Sequence, residues 1–346
     1  MLLVLLLAFL AGPPPPPIKP PQLVKGDVVA LVGLSSPMSP EQVRAAAENL
    51  ERRGYTVKVA QDPRGRRGYL AGDDASRAEA FNKMIKDPGV KAIFCLRGGY
   101  GSPRVLDRID YEALRKNPRI IVGYSDATAL LLAIRQRAGV IAFHGPMGKE
   151  WAASRGLSPY SEKYFWDCFA PESPLFSNWG GERPAGMKAP STLVGGVAEG
   201  IIVGGNLSMI SSTMGTPYEI DARDGILFLE EVSEKPFRID RMINQLRLAG
   251  KLGQARGILL GGFTGCDIPD PDGDLSLGEI FTDYFAPLGV PVLLDFPAGH
   301  VPDQVTLPLG ARARLDADKR TLTILEPPVR RAEPSPSANA PKSQPR

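Results

Sequence analysis

Ser125 stands in GYSDA, between a β-branched run at residues 119–122 and an Ala- and Leu-rich stretch at 127–137. The run predicts a buried strand and the stretch a helix, with Gly123 permitting a tight turn between them. A hydroxyl at that junction projects from the strand's carboxyl end, beside the free N–H groups of the helix's first turn. Such donors stabilise a developing oxyanion. The same pattern also fits a serine that only caps a helix, with Asp126 complementing the helix dipole. GYSDA is not the GxSxG elbow of α/β-hydrolases. A nucleophilic serine needs a base, and the 346-residue chain has two histidines, His144 in FHGPM and His300 in AGHVPDQ. Either is open as the base from sequence alone. An acid to orient that base is offered by ILFLEE, where Glu230 and Glu231 end an apolar run. Adjacent strand residues point to opposite faces, so only one of the two readily faces a cleft, and an isolated pair also fits two solvated charges.

The loop LRGGYGSPR, with Arg97, Gly98 and Gly99, follows a third apolar run. It reads either as a turn that needs glycine or as a backbone N–H aimed into a site. It lacks the GxGxxG spacing of a dinucleotide fold and the GK[ST] of a P-loop. The three cysteines, Cys95, Cys168 and Cys266, are far apart with no CxxC pair, which points to neither a zinc site nor a disulfide framework. No cofactor and no metal are expected.

The elements that must position these residues begin at Asp27. GDVVALVGL reads as a strand, and Ser39, Pro40 and Gln42 open a helix as a capping box with proline in its first turn. YTVKVA, VKAIFCL, residues 120–122 and VIAFHG supply further strands, with DDASRAEAFNKMIKD and the stretch after Ser125 as helices between them. Repeated βα units imply a parallel sheet covered on both faces. Residues 27–150 are therefore expected to form a doubly wound, flavodoxin-like α/β domain. Residues 151–190 read as a connecting segment, and 191–326 as a second, smaller mixed α/β domain carrying Glu230 and His300. Residues 327–346 read as a disordered tail rich in Pro, Ser and Ala. Residues 2–11 are an apolar run followed by five prolines, too short to span a bilayer but of signal-peptide length. Residues 1–26 are expected to lie outside the fold, with export to the periplasm or cell envelope favoured over a cytoplasmic location.

Composition fits a soluble globular protein, 43% apolar and 23% charged. The net charge of +3 is accounted for by Arg330, Arg331, Lys342 and Arg346 against Glu333. The body is near neutral, which argues against a nucleic-acid partner.

Seven segments, GYLAGDDASRAEAFNKMI, IFCLRGGYGSPRVLDRIDY, IVGYSDATALLLAI, FHGPM, GGNLSMI, GILFLEEVSEKPFRIDRMINQL and GHVPDQVTLPLGARARLD, occur in that order. Together, over about residues 23–325, they resemble the LD-carboxypeptidase family of serine peptidases. The resemblance implies a Ser-Glu-His triad divided between two domains: Ser125 as nucleophile, Glu230 as orienting acid and His300 as base. It further implies an oxyanion hole from the Gly-rich loop, with Gly99 assigned, and the Asp126 amide. No triad position departs from the family pattern, whereas Glu231 stands where relatives often carry Asp. Metal-free removal of the terminal D-alanine from murein tetrapeptides, by a homodimer, is the implied activity. Arg97 and Arg238 are charged candidates for gripping the substrate. Relatives resembling microcin C immunity peptidases, which cleave amides in peptide-nucleotide conjugates, supply the runner-up function. A non-catalytic peptide- or nucleotide-binding module is the remaining alternative.

Overall fold

The alternation of strand and helix expected after Asp27 builds the first sheet of the computed structural model, which describes residues 16–62, 65–171, 183–267, 273 and 275–332. Its strands are β1 (Val28–Val32), β2 (Thr56–Val59), β3 (Val90–Cys95), β4 (Ile120–Gly123) and β5 (Ala142–His144). Helices α1 (Pro40–Glu51), α2 (Asp74–Lys86), α3 (Tyr111–Lys116) and α4 (Thr128–Ala133) lie between them. The capping box forms: Gln42 N donates to Ser39 Oγ at 3.3 Å, and Ser39 N to Gln42 Oε1 at 3.1 Å. The order β2-β1-β3-β4-β5 is parallel throughout, the doubly wound flavodoxin-type arrangement. Strands β3 and β4 are almost wholly buried, which is why they read as unbroken apolar runs rather than alternating ones.

Two short helices follow, α5 (Gly148–Trp151) and α6 (Pro159–Asp167). The second sheet takes β6 (Ser191–Val194), β7 (Val197–Asn206), β8 (Gly225–Val232), β9 (Gly257–Thr264) and β10 (Val292–Leu294). Helices α7 (Leu207–Ser212), α8 (Pro236–Leu248) and α9 (Leu277–Phe285) connect them. Three strands close the chain: β11 (Leu307–Leu309), β12 (Arg312–Asp316) and β13 (Thr321–Ile324). The second sheet has the order β13-β12-β7-β8-β9-β10-β6, parallel from β7 to β10 and antiparallel at both edges.

The structure corrects three boundaries. Strand β11, expected within the second domain, pairs antiparallel with β5 and completes the first sheet. A three-residue apolar strand satisfies either sheet equally, so its pattern carries no information about which one it joins. Residues 151–190 are not a plain connection, because Phe165 in α6 and Phe169 just after it pack their buried rings against Trp151, Phe94 and Phe143. Residues 18–23 and 329–330, expected outside the fold, run along its edge. Ile18 N donates to Gly139 O at 2.8 Å and Gln22 N to Arg330 O at 2.8 Å, while Leu23 and Val329 are buried. Prolines there block regular helix, yet an extended segment still pairs through the N–H groups between them. The signal-like run at 2–11 and the tail from 333 lie outside the described residues. Among the described residues no helix is long and apolar enough to cross a membrane.

Candidate active site

Ser125 sits where β4 gives way to a 3₁₀ turn, Ser125–Ala127, that leads into α4. Its φ of 60° is left-handed, a conformation that costs a residue with a β-carbon about 1–3 kcal/mol and aims the side chain out of the turn. The Gly-rich loop after β3 closes directly on it. A β-carbon on Gly98 would lie 2.7 Å from Ser125 Oγ, so glycine is what permits the approach. The Gly98 carbonyl accepts from Ser36 N at 3.3 Å. Across the trans peptide, the Gly99 N–H therefore faces away from Ser36.

The Asp126 side chain ties these loops together. Its carboxylate accepts from the Ser35 hydroxyl in the loop after β1, from Gly101 N at 3.2 Å and from Ser102 N at 2.7 Å in the loop after β3. The Ser102 hydroxyl in turn donates to the Asp126 carbonyl. Sequence reasoning assigned the Asp126 amide to the site and its carboxylate only to the helix dipole, and missed the carboxylate's contacts to the loops. The available signal was an acid one residue past the candidate nucleophile, facing loops rich in Ser and Gly donors.

Glu230 near the end of β8 and His300 in the loop after β10 meet from the second half of the chain. His300 Nδ1 lies 2.6 Å from Glu230 Oε2, and the His300 backbone N donates to the same oxygen at 3.1 Å. A β-carbon on Gly299 would fall 2.5 Å from Oε2, and its φ of 95° is one that glycine adopts freely. Thr264 Oγ1 donates to the His300 carbonyl at 2.6 Å, which pins the loop from β9. Glu230 is fully buried. Burial pushes its carboxyl up, but His144 and His300 beside it more than reverse that and hold it at about 2. An ionised carboxylate only accepts, so Nδ1 carries the proton and Nε2 is left as the acceptor. The imidazole packs on Tyr124, the neighbour of Ser125, with ring centroids 4.9 Å apart.

Sequence left two histidines open, and the structure separates them. His300 is hydrogen-bonded to Glu230, whereas His144 is fully buried behind that acid, its Nε2 3.8 Å from Oε1. The two adjacent acids diverge as the strand pleat requires. Glu231 accepts from Asn206 Nδ2 at 2.9 Å, Ser208 N at 2.8 Å and Ser208 Oγ at 2.7 Å at the start of α7. Burial pushes its carboxyl up. Neither acid is solvated, which corrects that reading of the pair.

Arg97 is half-buried and its Nη1 reaches Pro37 O at 3.4 Å. Arg238 is an exposed residue of α8 paired with Glu234 at 3.4 Å. Neither forms a hydrogen bond or ion pair with Ser125, Glu230 or His300 among the described residues. A cavity of about 480 Å³ opens beside the His300 loop, lined in part by Phe263, Thr264, Val301, Pro302 and Asp303. Its size suits a short peptide. Among the described residues no group of three or more His, Cys, Asp or Glu side chains is placed to hold a metal ion.

Residues 29–145 match the LD-carboxypeptidase N-terminal domain, and residues 199–315 the LD-carboxypeptidase C-terminal domain. The chain belongs to the LD-carboxypeptidase family. It is 38% identical over 306 residues to the probable murein peptide carboxypeptidase of Bacillus subtilis, covering 88% of this chain and 94% of that protein. It is 32% identical over 308 residues to the murein tetrapeptide carboxypeptidase of Pseudomonas aeruginosa, covering 84% and 94%. A solved apo structure of the microcin C7 self-immunity protein MccF superposes with a TM-score of 0.81 at 25% identity, over 91% of this chain and all of that one. Ser125 falls within the N-terminal match to the LD-carboxypeptidase family and Glu230 and His300 within the C-terminal match. The cluster described above draws on both.

Proposed function

We propose that the protein is a metal-independent serine carboxypeptidase that hydrolyses the L,D-amide bond of murein tetrapeptides and releases the terminal D-alanine. The observation that carries this reading is the 2.6 Å contact between His300 Nδ1 and buried, ionised Glu230, with the imidazole packed at a tilt against Tyr124, the residue next to Ser125.

In this reading His300 Nε2 takes the proton of Ser125 Oγ as the oxygen attacks the scissile carbonyl carbon. The Gly99 and Asp126 amides receive the negative charge on the former carbonyl oxygen, and Glu230 stabilises the imidazolium. Collapse breaks the C–N bond, and His300 returns the proton to the amine of departing D-alanine. The tripeptide remains esterified to Ser125. Water, deprotonated by His300, then attacks the ester and regenerates the serine. Strain at Ser125 and the closeness of Gly98 hold the hydroxyl ready, so little reorganisation is left for the reaction itself.

The MccF likeness favours a second substrate class, an aminoacyl group joined to a nucleotide by an amide-like linkage. Murein peptide ranks first because the sequence relatives named for it are more similar than MccF. Parallel turnover assays on purified murein tetrapeptide and aspartyl sulfamoyl adenosine decide between them. The reading predicts kcat/KM for the tetrapeptide at least 100-fold higher. Turnover of the nucleotide conjugate alone would reverse the order, and turnover of neither would return the chain to a binding role.

A further inference from the structure

His144 is the one histidine that the proposed mechanism leaves unused, and its surroundings are not those of a packing residue. It ends β5, in register with Gly123 of β4. Its ring is fully buried, edge-on to Phe228 at 5.0 Å and Tyr124 at 5.9 Å between centroids. Neither ring nitrogen has a hydrogen-bond partner among the described residues, and the same is true of Glu230 Oε1. A buried polar group left unpaired costs about 1–3 kcal/mol. Phenylalanine or leucine would fill the space without that cost.

The two unpaired groups face each other, Nε2 to Oε1, at 3.8 Å. Two hydrogen bonds of about 2.8 Å meeting at a water span roughly 4.5 Å, so this gap is too short for a bridging water. The His300 imidazole and backbone N both bind Oε2. A carboxylate held by one oxygen alone can still turn about its terminal bond, and His144 is the group that faces the other.

We infer that His144 is a positioning residue. Its Nε2–H anchors Glu230 Oε1 from the first sheet and thereby fixes the plane in which Oε2 orients His300. The row His300–Glu230–His144 then crosses from one half of the chain to the other. At 3.8 Å the pair is just longer than a hydrogen bond, and a small rotation of the Glu230 carboxylate or the His144 ring brings it within reach in the free protein.

This inference rests on the triad reading, and its test separates the two. His144→Phe removes the donor, whereas His144→Gln replaces Nε2 with an amide N–H at similar reach. The expected result is a fall in kcat of about 10- to 100-fold for His144→Phe, with KM within about twofold and most activity restored in His144→Gln. In a Glu230→Gln background, His144→Phe should cause no further loss. Because the chain has two histidines, imidazole NMR reports on His300 without any substrate. Its Nδ1 proton should move in His144→Phe and return in His144→Gln. An unmoved His300 proton, equal losses in the Phe and Gln variants, or additive losses with Glu230→Gln would overturn the role. Failure of fluorophosphonate to label wild-type Ser125 would instead sink the triad reading, and the NMR result would still decide whether His144 holds Glu230.

Discussion

The carboxylate of Asp126 accepts the backbone N–H of Ser102 at 2.7 Å and so fastens the loop after β3 to the turn that carries Ser125. With Ser35 and Gly101 as further donors, one buried acid sets the relative placement of three loops at the carboxyl ends of the first sheet. Asp126→Asn keeps the shape but presents N–H to N–H at one oxygen. The expected outcome is a loss of about 1–3 kcal/mol, read as a lowered Tm, together with at least a tenfold loss of kcat/KM. Unchanged kinetics would show that the loops hold their places without it.

Gly98→Ala puts a β-carbon 2.7 Å from Ser125 Oγ. The hydroxyl must rotate or the loop must withdraw, and either spoils the attack geometry. Fluorophosphonate labelling of Ser125 should slow by tenfold or more, with Tm within a few degrees of wild type. Labelling at the wild-type rate would show that the close approach plays no part in reactivity.

Glu230 makes stability depend on acid pH with a definite sign. Its folded pKa of about 2 lies below the ordinary 4.5, so its contribution is complete above 4.5 and is lost as pH falls through about 2. Unfolding free energy measured between those values should decline less steeply in Glu230→Gln than in wild type. Parallel slopes would contradict an ionised buried acid. At neutral pH the same variant should lose on the order of 10⁴-fold in kcat, as when the orienting acid of a serine triad is neutralised.

Phe165 in α6 packs edge-on to Phe94 and Trp151 at 5.3 Å and to Phe169 at 5.0 Å. Phe165→Ala should cost about 3–5 kcal/mol, measured by denaturant unfolding with the m-value unchanged. A loss below about 1 kcal/mol would show that α6 is peripheral to the core.

Much of the first sheet was legible because its signals are local. The capping box at Ser39 and the β-branched runs of β3 and β4 each report their own conformation within a few residues, whereas the turn after β4 is made by Ser125 in the left-handed region and not by Gly123, which ends the strand. What was not legible depends on partners far along the chain. LPL at 307–309 carries no mark of which sheet receives it. Residues 18–23 look like the end of a leader until the edge beside residues 139–141 and 330 is seen. The period of α6 is obscured because Tyr160, Tyr164 and Trp166 remain part-exposed while still packing on the core, so apolar residues surround the helix instead of marking one face. At the site, the spacing of Glu230 and Glu231 on one strand correctly required opposite faces, and both faces turned out to be interior. Ser125, Glu230 and His300 were candidates from their local sequence, but their roles came from resemblance, since no local pattern distinguishes His300 from His144 or Glu230 from Glu231. Only the meeting of β5 and β8 shows that one histidine binds the acid and the other stands behind it.

The most direct test of the account is D-alanine release from purified murein tetrapeptide by wild type and Ser125→Ala, with EDTA present throughout. The account predicts release by the wild type, unaffected by the chelator, and its loss to background in the variant. Equal release by both proteins, or release that EDTA abolishes, would contradict it.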